Sequence, residues 1–330
     1  MSTLYDSRGL QLRRIRHALS RGIPEPVVCS ALAGNEWFTR SDIEYALRAI
    51  TEVMLDDGAV ERWLTRYPDI HTGTSVAVIM AGNIPMAGFF DLLCCAITGC
   101  GVLVKHSSKD KALMEWAGGV IAEYTGASVS TLTEEDIPDA VIASGGDNAA
   151  SAIRARFDGL PMLLRSHRTS VAVIDGSESA EELSSLWRDI FTYFTLGCRN
   201  VTHIYLPEGY RPELLAQRIA AGGEPVTHRP WSGSYRQRRA LKIMNGEPFV
   251  DGGYFLLCPG TQSDAVCQIT YSFYGSSESL AEELSGRDDL QCVAGHGHIP
   301  FGEAQRPAPW DYPDGRDVIE FLSEATQRDY

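Results

Sequence analysis

Several fingerprints that would settle a function outright are missing from these 330 residues. The eight cysteines, at 29, 94, 95, 100, 198, 258, 267 and 292, include no C-x-x-C pair, so the usual zinc-ligand spacing is absent and no metal site is expected. There is no G-x-G-x-x-G and no G-x-x-x-x-G-K-[ST], which removes the common dinucleotide and P-loop signatures. Basic residues are few: 29 Lys and Arg against 43 Asp and Glu leave a net charge of -14, the wrong sign for a nucleic-acid binder. The most apolar stretch, Val76 to Val104, is interrupted by Asn83, Pro85, Asp91 and glycines, so it reads as buried strand, turn and helix and not as a membrane span. The opening MSTLYDSRGLQLRRIRHALSRG has no apolar h-region, which argues against a secretory signal. A reducing cytoplasm with free thiols is the expected setting.

What is present suits a large α/β protein. Hydrophobic residues make up 44% of the chain, ample for two lobes. Residues 1–70 read as a helical segment, a cap or an oligomer contact, in which Ser41 is expected to cap a helix whose apolar face carries Ile43, Leu47, Ile50 and Met54. From Ser75 the texture alternates. SVAVIM, GVLVKH and DAVIAS are β-branched runs separated by helix-like stretches, which implies right-handed crossovers and a parallel, doubly wound sheet. This lobe is expected over 71–180, taking in the apolar run SVAVID. A second α/β lobe is expected over 181–300, and a Gly- and Pro-rich segment with a last short helix over 301–330 returns to the core.

Four short stretches carry polar chemistry. Gly197-Cys198-Arg199-Asn200 lies between a helix-like segment and the strand VTHIYLP, where backbone N–H groups favour a thiolate and can hold an oxyanion, although a lone cysteine is more commonly a small buried hydrophobe. Ala81-Gly82-Asn83-Ile84-Pro85 follows the first strand of the sheet, where open α/β sheets place ligands; Asn83 offers a fixed N–H donor or is simply a turn residue. Lys105-His106-Ser107-Ser108 ends the second strand, with Lys105, Ser107 and Ser108 suited to a ribose or phosphate. Ser144-Gly145-Gly146 ends the third, where glycines let a cofactor approach the backbone. Composition and periodicity alone stop at an α/β protein with a nucleotide cleft.

Taken in this order, the stretches resemble the aldehyde dehydrogenase superfamily, and within it the LuxC-type acyl-CoA reductases. NEWFT, GNIPMAGFFD, GVLVKHSSKD, RSHRTSVAVIDG, GCRNVTHIYLP and PFGEAQRPAPWDYPDGRDVIEFL are similar to signatures of that branch over nearly the whole chain. The resemblance implies a Rossmann-like nicotinamide lobe, a catalytic lobe and covalent chemistry. Cys198 would attack a thioester of CoA or of an acyl-carrier protein, Asn83 and the Cys198 backbone N–H would hold the oxyanion, and hydride from NADPH would release an aldehyde. Hydrolytic members carry a Glu ahead of a Gly-Gly stretch, whereas the corresponding Leu164-Arg165-Ser166-His167-Arg168 has no carboxylate, which favours reduction over hydrolysis. His167 is a candidate proton donor to the leaving thiolate, with orientation of its loop as the alternative. Family members using NAD hold its ribose with a Glu where this chain has Ser108, so NADPH is the expected cofactor. Asp110 keeps NADH open as an alternative, since it could take over the ribose.

His203 shares a strand face with Val201 and Tyr205 and reads as structural, and Cys94, Cys95 and Cys100 read as core. The run from Tyr235 to Lys242 is basic in an acidic chain. It is either a solvated helix face or a contact for the phosphates of CoA or an acidic carrier. The rival readings are an aldehyde dehydrogenase oxidising an aldehyde to the acid or acyl-CoA, and a non-catalytic scaffold. Assembly into a homo-oligomer is left open.

Overall fold

The structure is a computed structural model that describes residues 3–67, 71–145, 147–165, 167–262 and 265–326. The chain divides into two compact units, one made of residues 1–167 and 306–330, the other of 168–305. The first unit opens with helices α1 (Thr3–Leu19), α2 (Glu25–Gly34), α3 (Arg40–Arg48) and α4 (Asp57–Leu64). Thr39, not Ser41, caps α3. Its backbone is extended and its hydroxyl accepts the Asp42 N–H at 3.1 Å, while Ser41 already lies in the first turn. The helix then widens into a π-helical stretch, Ala49–Met54, which ends the 3.6-residue spacing assumed for Met54.

Next come β1 (Ser75–Ile79), α5 (Phe89–Ile97), β2 (Gly101–Lys105), α6 (Lys111–Thr125), β3 (Val129–Thr131), β4 (Ala140–Ser144), α7 (Asp147–Arg156) and β5 (Met162–Arg165). All five strands are parallel, in the order β3-β2-β1-β4-β5. Side chains alternate between two cores. Val76, Val78, Ala140 and Ile142 face the cluster that holds α5, α6 and the N-terminal helices, while Ala77, Val141 and Ala143 face Ile153 and Phe157 of the α7 region. Every residue of α5 is buried, which explains why it is apolar on all sides.

The second unit contains β6 (Thr169–Val173), α8 (Ala180–Phe191), β7 (Val201–Pro207), α9 (Pro212–Ala220), α10 (Arg229–Asn245), β8 (Val250–Asp251), β9 (Leu256–Pro259), β10 (Gln268–Tyr274), α11 (Ser277–Ser285) and β11 (Leu290–Ala294). Its six strands run β11-β6-β7-β10-β9-β8, parallel except for the edge strand β8. The SVAVID run therefore pairs with β7 and β11 in this sheet and does not extend the first one. The chain finally returns to the first unit, where α12 (Val318–Thr326) buries Val318, Ile319 and Leu322 in its core. Tyr312 accepts a hydrogen bond from Trp63 Nε1 at 2.8 Å, and the Tyr67 hydroxyl bonds both Tyr312 and Asp317. The DY-x-DG motif thus clasps the N-terminal helices.

Candidate active site

In the second unit Cys198 is exposed on the turn between α8 and β7. Three consecutive residues before it, Tyr193, Phe194 and Thr195, have φ of 61°, 55° and 60°. Left-handed backbone costs roughly 1–2 kcal/mol per L-residue, and a β-branched Thr there is a real outlier. Such strain persists only where its surroundings fix it. Asn200 supplies much of that: its Nδ2 lies within 3.1 Å of the carbonyls of Asp189, Ile190 and Thr192, and its Oδ1 accepts the Gly197 N–H at 2.8 Å. The Ser170 hydroxyl donates to the Cys198 carbonyl at 2.8 Å and accepts the Cys292 N–H at 3.2 Å. The Asn200 bonds and the Ser170–Cys198 bond hold the backbone of the turn, on which Cys198 is exposed.

Behind the turn, Asp189 is fully buried and accepts the N–H groups of Gly302 at 2.6 Å and Ala304 at 2.9 Å. Arg199 Nε donates to the Ala304 carbonyl. Burial pushes the Asp189 carboxyl up to about 7, against the two amides that lower it. GCRN and PFGEAQ, far apart in sequence, are thus one assembly. Of its organisers, Asn200 lies in the stretch singled out around Cys198 and Ser170 in RSHRTSVAVIDG, but the sequence pattern assigns neither of them this role, and it does not single out Asp189.

In the first unit the order β3-β2-β1-β4-β5 creates a switch point between β1 and β4, where such sheets bind ligands beyond their carboxyl ends. The turn with Asn83 follows β1 and Gly145 follows β4, so both flank that crevice. Asn83 is exposed, and Asn35 of the NEWFT stretch donates to the Gly82 carbonyl at 3.3 Å to anchor the turn. Gly82 admits no side chain, since a Cβ would come within 2.3 Å of Ser107 Oγ. Ser107 therefore shapes the Asn83 turn, and its hydroxyl also accepts the Lys109 N–H at 3.3 Å. Lys105 and Ser108 are exposed at the end of β2, and Ser144 and Gly145 are half-buried at the end of β4. Gly146 lies outside the described residues, as does Ser166. His167 is exposed after β5, where the first unit ends.

Asp110 does not serve a ribose in this arrangement. Only 2% of it is exposed, it lies against Gly82, and burial raises its carboxyl to about 8 while the Met86 and Ala87 amides pull the other way. His203 is buried between Thr270 Oγ1 at 2.8 Å and Ser272 Oγ at 3.0 Å, and burial lowers its pKa to about 4. Cys94, Cys95 and Cys100 are buried in the first core. No helix among the described residues is long and apolar enough to cross a membrane.

No protein-family model matches the sequence, and no curated protein sequence does. Solved structures match it throughout. Aldehyde dehydrogenase 21 of Physcomitrella patens, solved with its product succinate, superposes with a TM-score of 0.69 at 10% identity, over 99% of this chain and 85% of that one. A Mycobacterium tuberculosis aldehyde dehydrogenase complexed with NAD+ gives 0.63 at 13% identity, over 98% and 84%. A succinic semialdehyde dehydrogenase of Streptococcus pyogenes with NADP+ gives 0.59 at 11% identity, over 89% and 77%. The chain has the aldehyde dehydrogenase fold.

Proposed function

We propose that this chain reduces an acyl thioester to an aldehyde through a covalent intermediate on Cys198, with NADPH as the reductant. The observation that carries the reading is the exposed Cys198 on a strained, pinned turn of an aldehyde dehydrogenase fold. The acid behind the turn, Asp189, is already bound to two amides, and residues 164, 165, 167 and 168 contribute no acid.

Cys198 attacks the thioester carbonyl, its own N–H and the Asn83 amide are assigned to the oxyanion, and the outgoing CoA or carrier thiolate takes a proton. His167, an exposed candidate, is assigned to that proton transfer. The lack of an acid at residues 164–168 favours an acyl-enzyme that persists until hydride arrives. A nicotinamide dinucleotide, when bound, supplies hydride to the acyl carbon. Lys105 and Ser108 are assigned to its ribose and 2′-phosphate, Ser107 to shaping that pocket, and Ser144, Gly145 and Gly146 to close backbone approach. The described residues suit such a cofactor: Gly145 flanks the switch-point crevice, and Lys105 and Ser108, exposed at the end of β2, are a cation and a hydroxyl of the kind that favours a 2′-phosphate.

The structural neighbours are dehydrogenases, which favours oxidation of an aldehyde as a second reading. The test compares NADPH oxidation with acyl-CoA against NADP+ reduction with aldehyde, alongside intact-mass detection of an acyl adduct. We expect aldehyde formation and an adduct that Cys198→Ala lacks. Turnover retained in Cys198→Ala would end this assignment, and free acid as the only product would select the second reading.

A further inference from the structure

Helix α10 is 17 residues long and buries one side chain, Trp231. It carries Arg229, Arg236, Arg238, Arg239 and Lys242 and no acidic residue, in a chain of net charge -14. Among the described residues seven large apolar side chains are exposed, and three belong to this helix: Leu241 at 48%, Ile243 at 55% and Met244 at 81%. Arg236, Arg239, Ala240, Ile243 and Met244 follow one another at helical spacing. With Asp251 they line a groove of about 560 Å³. Ile243 and Met244 adjoin in this groove, beyond the arginines, and a contiguous exposed apolar patch with a polar rim marks an interaction surface. A nucleotide's phosphates would need the cations but not the apolar pair. The two together complement a protein surface that is acidic with an apolar centre.

The other end of α10 is anchored at the catalytic turn. Phe194, in the strained run before Cys198, stacks on His228 with ring centroids 4.5 Å apart, and its ring lies 6.2 Å from that of Trp231. From Trp231 to Met244 the helix advances about 20 Å, at 1.5 Å per residue. That is a span for a flexible thioester arm, and α10 joins the basic face to the turn that carries Cys198 through Phe194.

We propose that the Arg236–Met244 face of α10 docks a small acidic helical carrier protein that presents the acyl group on a phosphopantetheine arm. This deepens the thioester-reductase reading and rests on it for the delivery step. The charge steers the encounter and Ile243 and Met244 give the contact its apolar centre.

The test uses the whole chain and two probes: a holo acyl-carrier protein of bacterial fatty-acid synthesis labelled with fluorescein, and its acylated form against acyl-CoA of equal chain length. Anisotropy should show binding of the holo-carrier that weakens with salt. Arg236→Glu combined with Met244→Glu should weaken it by about tenfold or more and raise KM for the acylated carrier to match, while acyl-CoA kinetics stay within about twofold. No binding by the wild type, equal losses with carrier and acyl-CoA, or an altered oligomeric mass in the variant would each overturn the docking assignment, the last by showing that the face meets a second copy. Carrier binding without turnover of either thioester would instead leave docking standing and remove the reductase reading.

Discussion

Asp110 and Asn83 illustrate how differently two polar residues of one loop region can be used. Asp110 is the buried backing of the turn that presents Asn83. In the unfolded chain its carboxyl titrates near pH 4, about its ordinary value. In the fold burial holds its pKa at about 8. Between those values the folded state keeps a proton that the unfolded state has lost, so stability falls as pH rises from about 4 to about 8. The melting temperature of wild type relative to Asp110→Asn should therefore drop across that window, and a difference that is flat with pH would contradict the assignment. Asn83→Ala should act on turnover: loss of one oxyanion donor costs about 10²–10³ in kcat, with less effect on binding. A twofold loss would return Asn83 to the role of a turn residue. Ser108→Glu should reduce kcat/KM with NADPH far more than with NADH; an unchanged ratio would remove Ser108 from the 2′-phosphate.

The decisive element is the reversal between α8 and β7. Its three left-handed residues are held by Asn200, so Thr195→Gly should release strain and stabilise the fold by about 1 kcal/mol while lowering kcat, because the thiol is then less firmly placed. Thermal denaturation and steady-state kinetics read the two effects separately, and a destabilised variant would show that the left-handed turn carries no strain. The position of Cys198 at a helix-to-strand junction was legible from the sequence, as were the β-branched strands and the glycine turns after β1 and β4. The reversal itself was not, because Tyr-Phe-Thr gives no local hint of positive φ; the Asn200 bonds to residues 189, 190, 192 and 197 bracket the run from outside it. The same holds for Asn35 and Asp189, whose partners lie 47 and more than 100 positions away. Period-two patterning also marks SVAVID as a strand but cannot say which sheet it joins; only its pairing with β7 and β11 does that.

At the scale of the whole molecule the first unit is discontinuous, with residues 168–305 inserted between its two parts. Its closure depends on Tyr312, which meets Trp63 across 249 positions and also packs against Phe90. Replacing a buried aromatic by Ala typically costs about 3–5 kcal/mol, so Tyr312→Ala should lower the melting temperature by several degrees. A variant that melts like wild type would mean that the clasp adds nothing. The path of the chain also sets an order of events during synthesis. Translation delivers every residue of the inserted unit before Tyr312 and α12 emerge, so that unit can reach its native state while the first still lacks its closing strap. A chain arrested after residue 306 and displayed on a linker long enough to clear the ribosome should hold the cysteine turn already protected from protease and the N-terminal helices still open to it. The unit that carries Cys198 can thus be finished before the unit that carries Asn83.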